Sequence, residues 1–181
     1  MLVREDHEAG GLVSVTGYDK SWPDRYERES KQVSAALGDL VVAIEHIGST
    51  SVSGLTAKPT IDILVGVRKL EITEHTIARM AVLGYQHRGE MGVPGRHYFR
   101  KGDRYPRDFN VHVVVWGGPL WSDHVAFRDY LRTHPERAHE YAELKRELLT
   151  RPDGRDWGSY QAGKEPFIAE TLRLAADDAH R

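Results

Sequence analysis

Between Glu45 and Ile63 the chain sets hydroxyls, a lysine and a carboxylate close together: Glu45-His46-Ile47-Gly48-Ser49-Thr50-Ser51 runs on through Lys58-Pro59-Thr60-Ile61-Asp62-Ile63. An apolar segment, Val41 to Ile47, leads into a Gly/Ser/Thr/Lys turn, and a second apolar segment carrying Asp62 follows. Backbone N–H groups freed by glycine, the hydroxyls of Ser49, Thr50 and Ser51, and Lys58 together suit an anion, above all where such a turn opens a helix. The same residues also fit an ordinary strand–turn–strand whose small side chains only shape the loop, since short Gly/Ser motifs are frequent.

Period-two alternation places the chemistry on strands. In Val41 to Ile47, Val42, Ile44 and His46 share one face, and Val41, Ala43, Glu45 and Ile47 the other. In Thr60 to Val67, Ile61, Ile63, Val65 and Val67 make the apolar face, leaving Thr60, Asp62 and Leu64 opposite. Asp108 to Val115 alternates most clearly: Phe109, Val111, Val113 and Val115 face a core, and Asp108, Asn110 and His112 form a polar row. Imidazole beside the Asp62 carboxylate suits a metal or an acid–base site.

The elements that must hold these strands follow from capping and spacing. Ser21 stands at an N-cap position ahead of Pro23, and Trp22, Tyr26, Val33 and Leu37 recur at helical spacing up to Gly38, which predicts a helix over Trp22–Leu37. Leu12 to Thr16 alternates as an edge strand, Glu71 to Leu83 reads as a second helix, Gly89 to Gly95 as a loop, and Arg96 to Arg100 as a strand. Helices are expected over Trp121–Arg132, Pro135–Thr150 and Trp157–Ala176, the last kinked or restarted at Pro166. On them Arg128, Lys145, Tyr160 and Lys164 could supply countercharge and contacts, although lone basic residues on helices usually face water.

The order of elements predicts an α/β (α+β) fold: a mixed sheet flanked by helices, with a helical C-terminal part. Residues 1–11 read as a loose leader, 12–116 as the sheet domain, and 117–181 as helices packed on the same domain. The 181 residues hold 29% charged and 40% hydrophobic residues, the balance of a globular protein. No cysteine is present, which excludes disulfides, thiol catalysis and Cys-based zinc sites. No long apolar run occurs, so a soluble cytoplasmic protein without membrane contact is expected. A net charge of −2 argues against wrapping nucleic acid. A local stretch of Arg96, Arg100, Lys101, Arg104 and Arg107 with Tyr98 and Tyr105 is the one candidate base-stacking surface.

The segment Ile44 to Ile63 resembles the signature of the GrpB family, within the polymerase-beta-like nucleotidyltransferase superfamily. Val111-His112-Val113-Val114, Phe127-Arg128-Asp129-Tyr130-Leu131, His134-Pro135, Tyr141-Ala142-Glu143-Leu144-Lys145, Tyr160 with Lys164, and the opening Tyr18-Asp19-Lys20-Ser21-Trp22-Pro23 carry the likeness further, from about Val13 to about Leu172. The resemblance implies a nucleotidyltransferase-like sheet in which Gly48, Ser49 and Thr50, with Lys58, hold the phosphates of a nucleoside triphosphate, helped by Arg128, Lys145, Tyr160 and Lys164. It also implies Mg²⁺ or Mn²⁺ on acidic strands, and transfer of a nucleotidyl group to a small acceptor.

The superfamily's paired acids are two residues apart, whereas Thr60 and Leu64 flank Asp62 on its face. Asp62 with Glu45 and His112 is therefore the candidate catalytic and metal set, and a histidine in it suits a transition metal or metal-free acid–base work better than magnesium. The single acid also motivates an alternative: a non-catalytic anion- or nucleotide-binding module with an assembly or chaperone-like role.

Overall fold

The computed structural model describes residues 13–103, 106–154 and 156–180. The expected 1–11 leader, Leu12, Arg104 and Tyr105 lie outside the described residues. The helix α1 spans Trp22–Leu37 as its periodicity predicts. Ser21 makes no side-chain cap; instead its N–H is held by Asp19 Oδ1 at 2.8 Å. The expected edge strand is reduced to one bridge, Thr16 to Ala57.

The strands are β1 (Val41–Ile47), β2 (Ile61–Val67), β3 (Tyr85–His87), β4 (Arg96–Lys101) and β5 (Phe109–Val115), in the spatial order β1-β2-β5-β4-β3. Among the described residues only the β2–β5 pairing is parallel. Between β2 and β3 lies α2 (Glu74–Val82), which starts later than the apolar spacing predicts because Thr73 caps it, its side chain accepting the Thr76 N–H. The short β3 was not foreseen: three residues are too few to show a period.

One sheet face is sealed by α1 and α2. There Trp22, Val33, Leu37 and Met80 meet Ile61, Ile63, Val65, Phe99, Val111 and Val113. Val115, expected in the core, is instead 42% exposed, at the end of its strand. The other face is covered by α3 (Pro119–Thr133), against which α4 (Pro135–Thr150) and α5 (Trp157–Ala179) pack. On that face Ile47, Leu64 and Val114 lie under Leu120, Trp121 and Val125. Strand register makes them a diagonal, since Ile47 is level with Asp62, Leu64 with His112, and Val114 one pleat further on.

Two expectations fail for physical reasons. Pro166 neither kinks α5 into two elements nor restarts it; the helix runs through it. Proline removes one N–H from the ladder, and packing on α3 and α4 outweighs that loss. Nor do Arg96, Tyr98 and Arg100 form a basic surface, because β4 turns all three inward, 1%, 1% and 3% exposed. Among the described residues, no helix is long and apolar enough to cross a membrane.

Gly66 of β2 sets how closely α3 approaches. A Cβ there would lie 2.8 Å from the Trp121 ring and 2.9 Å from Trp116 Cβ. Gly66→Ala should lower unfolding free energy by about 1–3 kcal/mol through overpacking, read as a lower urea midpoint at unchanged slope.

Candidate functional site

A cleft opens between the polar part of this sheet face and the helices α3, α4 and α5. Its floor is Asp62. Gly48 has φ +69°, and a Cβ on it would fall 2.5 Å from Asp62 Oδ2, so only glycine lets the turn after β1 rest on this carboxylate. Asn110, level with Asp62 on the neighbouring strand, donates its amide N–H to Oδ1 at 2.8 Å and accepts the Tyr98 hydroxyl at 2.7 Å. Arg96, buried on β4, donates to His112 Nδ1 at 3.2 Å. Arginine cannot accept, so His112 carries its own proton on Nε2, which faces Asp62 Oδ1 at 3.7 Å. Burial raises the Asp62 pKa, opposed by Lys58, Asn110, Lys164 and Arg96. The carboxyl thus holds a proton more tightly than an exposed aspartate.

The walls are basic and aromatic. Lys58 Nζ lies 4.7 Å from the centre of the Trp157 ring; Lys164 Nζ lies 5.6 Å from that ring and 4.7 Å from the Tyr160 ring. Tyr160 and Lys164 fall one turn apart on α5, so the proline two residues on does not remove Lys164 from the cleft. Lys145, 2% exposed on α4, donates to Ser49 Oγ at 3.2 Å and to the Thr56 carbonyl. Burial, with Lys164 and Arg146 adding repulsion, pushes its pKa well below the usual lysine value. Gly48, Ser49, Thr50, Lys58, Asp62, Lys145, Tyr160 and Lys164 therefore share one cleft, joined by His124, Phe127, Tyr141, Trp157, Gln161 and Glu165. Sequence reasoning did not pick out those six, and treated Asn110, Tyr98 and Arg96 as a strand row or a basic stretch. The paired polar positions on β4 and β5 were the available signal.

Glu45 and Arg128, also expected in it, lie elsewhere. Glu45 Oε2 accepts from Arg128 Nη1 at 2.6 Å, and Arg128 spends its remaining donors on the His46 carbonyl and Asp129. The diagonal of Ile47 and Leu64 separates this pair from Asp62 and His112. The Thr50 hydroxyl is engaged with the Thr60 carbonyl at 3.3 Å and with His46 Nε2 at 3.0 Å, which leaves it a structural tie. Among the described residues no three His, Asp or Glu side chains are grouped to hold a metal. The charges of Lys58 and Lys164 act on Asp62, and His112 turns a protonated nitrogen to it. These donors do not fit a resident magnesium or manganese ion, which needs a shell of oxygen ligands.

His46 itself is stacked on Tyr26, with ring centres 4.6 Å apart, and burial lowers its pKa to about 3. An unfolded chain would titrate it near ~6.5. Between those values the unfolded chain binds more protons, so stability is full above about pH 6.5 and drains as the pH falls toward the folded value. Urea midpoints taken from pH 7 to pH 4 should decline, and His46→Gln should flatten the decline by up to about 1 kcal/mol per pH unit.

Comparison with known proteins matches this architecture. The chain is 38% identical over 170 residues to the UPF0157 protein YqkA of Bacillus subtilis (strain 168), covering 93% of this chain and 48% of that one. It is 32% identical to the glutamate-rich protein GrpB of Alkalihalophilus pseudofirmus, covering 90% of this chain and 95% of the relative. The crystal structure of the conserved protein GrpB from Enterococcus faecalis superposes with a TM-score of 0.81 at 33% identity, over 93% of this chain and all of the other. The family model described as GrpB protein matches residues 12–174, and the chain belongs to the GrpB family.

Proposed function

We propose that the cleft binds a nucleotide without a resident metal ion. The observation that carries this reading is the wall on which Lys58 and Lys164 both lie over Trp157, next to Ser49 and above Asp62. Ammonium groups there would neutralise phosphates. The resemblance to the nucleotidyltransferase superfamily supports the same ligand class.

Nucleotidyl transfer from a nucleoside triphosphate to a small acceptor is the second reading. What favours it is Asp62, whose raised proton affinity suits a base that receives a proton from an acceptor hydroxyl. What favours binding alone, with an assembly role, is that among the described residues this carboxylate has no acidic partner and is already tied to Asn110.

Calorimetric titration with ATP, GTP, CTP and UTP, with and without Mg²⁺ or Mn²⁺, tests the proposal. Wild type should bind at least one of them, and Lys58→Ala and Lys164→Ala should each weaken binding about tenfold, or ~1.4 kcal/mol. Absence of binding to every nucleotide overturns the reading. Turnover that Asp62→Asn abolishes would select transfer; unchanged affinity in that variant without turnover would select a binding module.

A further inference from the structure

The contact between Ser49 and Lys145 goes beyond ligand binding. A lysine buried to 2% exposure normally meets a carboxylate, yet among the described residues no ion pair includes Lys145. Its Nζ instead touches the Thr56 carbonyl, Ser49 Oγ and, at 4.7 Å, the face of Tyr141. The charged groups around it are Lys164 from α5 and Arg146 from α4, both repulsive, while Asp62 of β2 lines the same cleft. Such surroundings favour a neutral amine, which has a lone pair to receive a proton.

Ser49 is half-buried and lines the cleft, and its hydroxyl also lies against that of Tyr141, one helical turn from Lys145. Ser49 as nucleophile, Lys145 as base and the Thr56 carbonyl that orients the amine are thus within hydrogen-bond reach, the arrangement that activates a serine.

We propose that Ser49 is a nucleophile whose proton is taken by Lys145, and that the cleft cleaves acyl phosphates, in which a carbonyl carbon is joined to a phosphate oxygen. Ser49 Oγ bonds to the carbonyl carbon as its proton passes to Lys145 Nζ. The bond from carbon to the phosphate oxygen breaks, the phosphate leaves beside Lys58 and Lys164, and Lys145 returns the proton to it. Water then attacks the acyl-serine, giving a proton to Lys145; the bond to Ser49 Oγ breaks, and Ser49 recovers its hydrogen from that lysine. The sum is acyl phosphate plus water to carboxylic acid plus phosphate.

The test is labelling of the full chain with an alkyl fluorophosphonate, which bonds serine oxygen to phosphorus and releases fluoride, followed by peptide mass mapping. A single adduct on Ser49 is expected, absent in Ser49→Ala. Its rate should rise with pH around a midpoint below the ordinary lysine value of ~10.4, and Lys145→Arg, whose guanidinium stays protonated and cannot act as a base, should slow it at least tenfold. Lys145→Met is the second variant should arginine disturb the fold, with thermal unfolding as the check on each. Hydrolysis of acetyl phosphate should be lost in the same variants. No adduct on Ser49 in folded wild type, or labelling as fast in a folded Lys145 variant, overturns the proposal. The probe carries no nucleotide, so its failure would leave the calorimetric result standing on its own.

Discussion

A carboxylate set into a helix-covered sheet face has to be supplied with donors, and the architecture of this face follows from supplying Asp62. Asn110 takes one oxygen, Tyr98 fixes the amide of Asn110, and Arg96 fixes the ring of His112 beside it. Each of these sits on the register that brings β2, β5 and β4 side by side. A partly satisfied network of this kind costs more than an apolar one, because buried groups left without partners bear their full desolvation penalty. The row therefore specifies the strand order as well as the site. The turn at Gly48 completes it by touching the carboxylate from the open side.

The polar row shares its face with an apolar diagonal, and the division sorts the charged residues into two groups. Asp62 and the lysines line the cleft, with His112 buried beside Asp62; Glu45, Arg128 and Asp129 neutralise one another beyond Ile47 and Leu64. An acid drawn from β1 toward Asp62 would have to cross packed side chains. The same division keeps the cleft positive on its walls, where any anionic ligand would gain from low dielectric and fixed cations.

Much of the fold could be read from residue order. Helical spacing located α1 and α4 to the residue, and alternation gave β1 and both faces of β2, because each of these elements buries one side and exposes or polarises the other. The 3-residue β3 lacks a period, and the run through Pro166 depends on neighbours that only the tertiary structure supplies. For the site, Gly48, Ser49, Lys58 and Asp62 were legible as a local motif. Tyr141, Trp157 and His124 were not, since an aromatic or histidine on a helix reads the same whether it faces a core or a cleft. Strand alternation put Glu45 on the face it occupies, but a face is wider than a site, and only register shows what stands between two residues on it.

The single parallel pairing in the sheet has a kinetic meaning. β1 pairs with β2, and β3, β4 and β5 form an antiparallel meander, so each half can assemble from segments near in sequence. The seam between β2 and β5 joins residues 48 apart, such as Asp62 and Asn110, and carries a larger loop-closure entropy. The floor of the cleft lies on that seam. It exists only where the two halves are docked in register, so its integrity reports on whether that docking is complete.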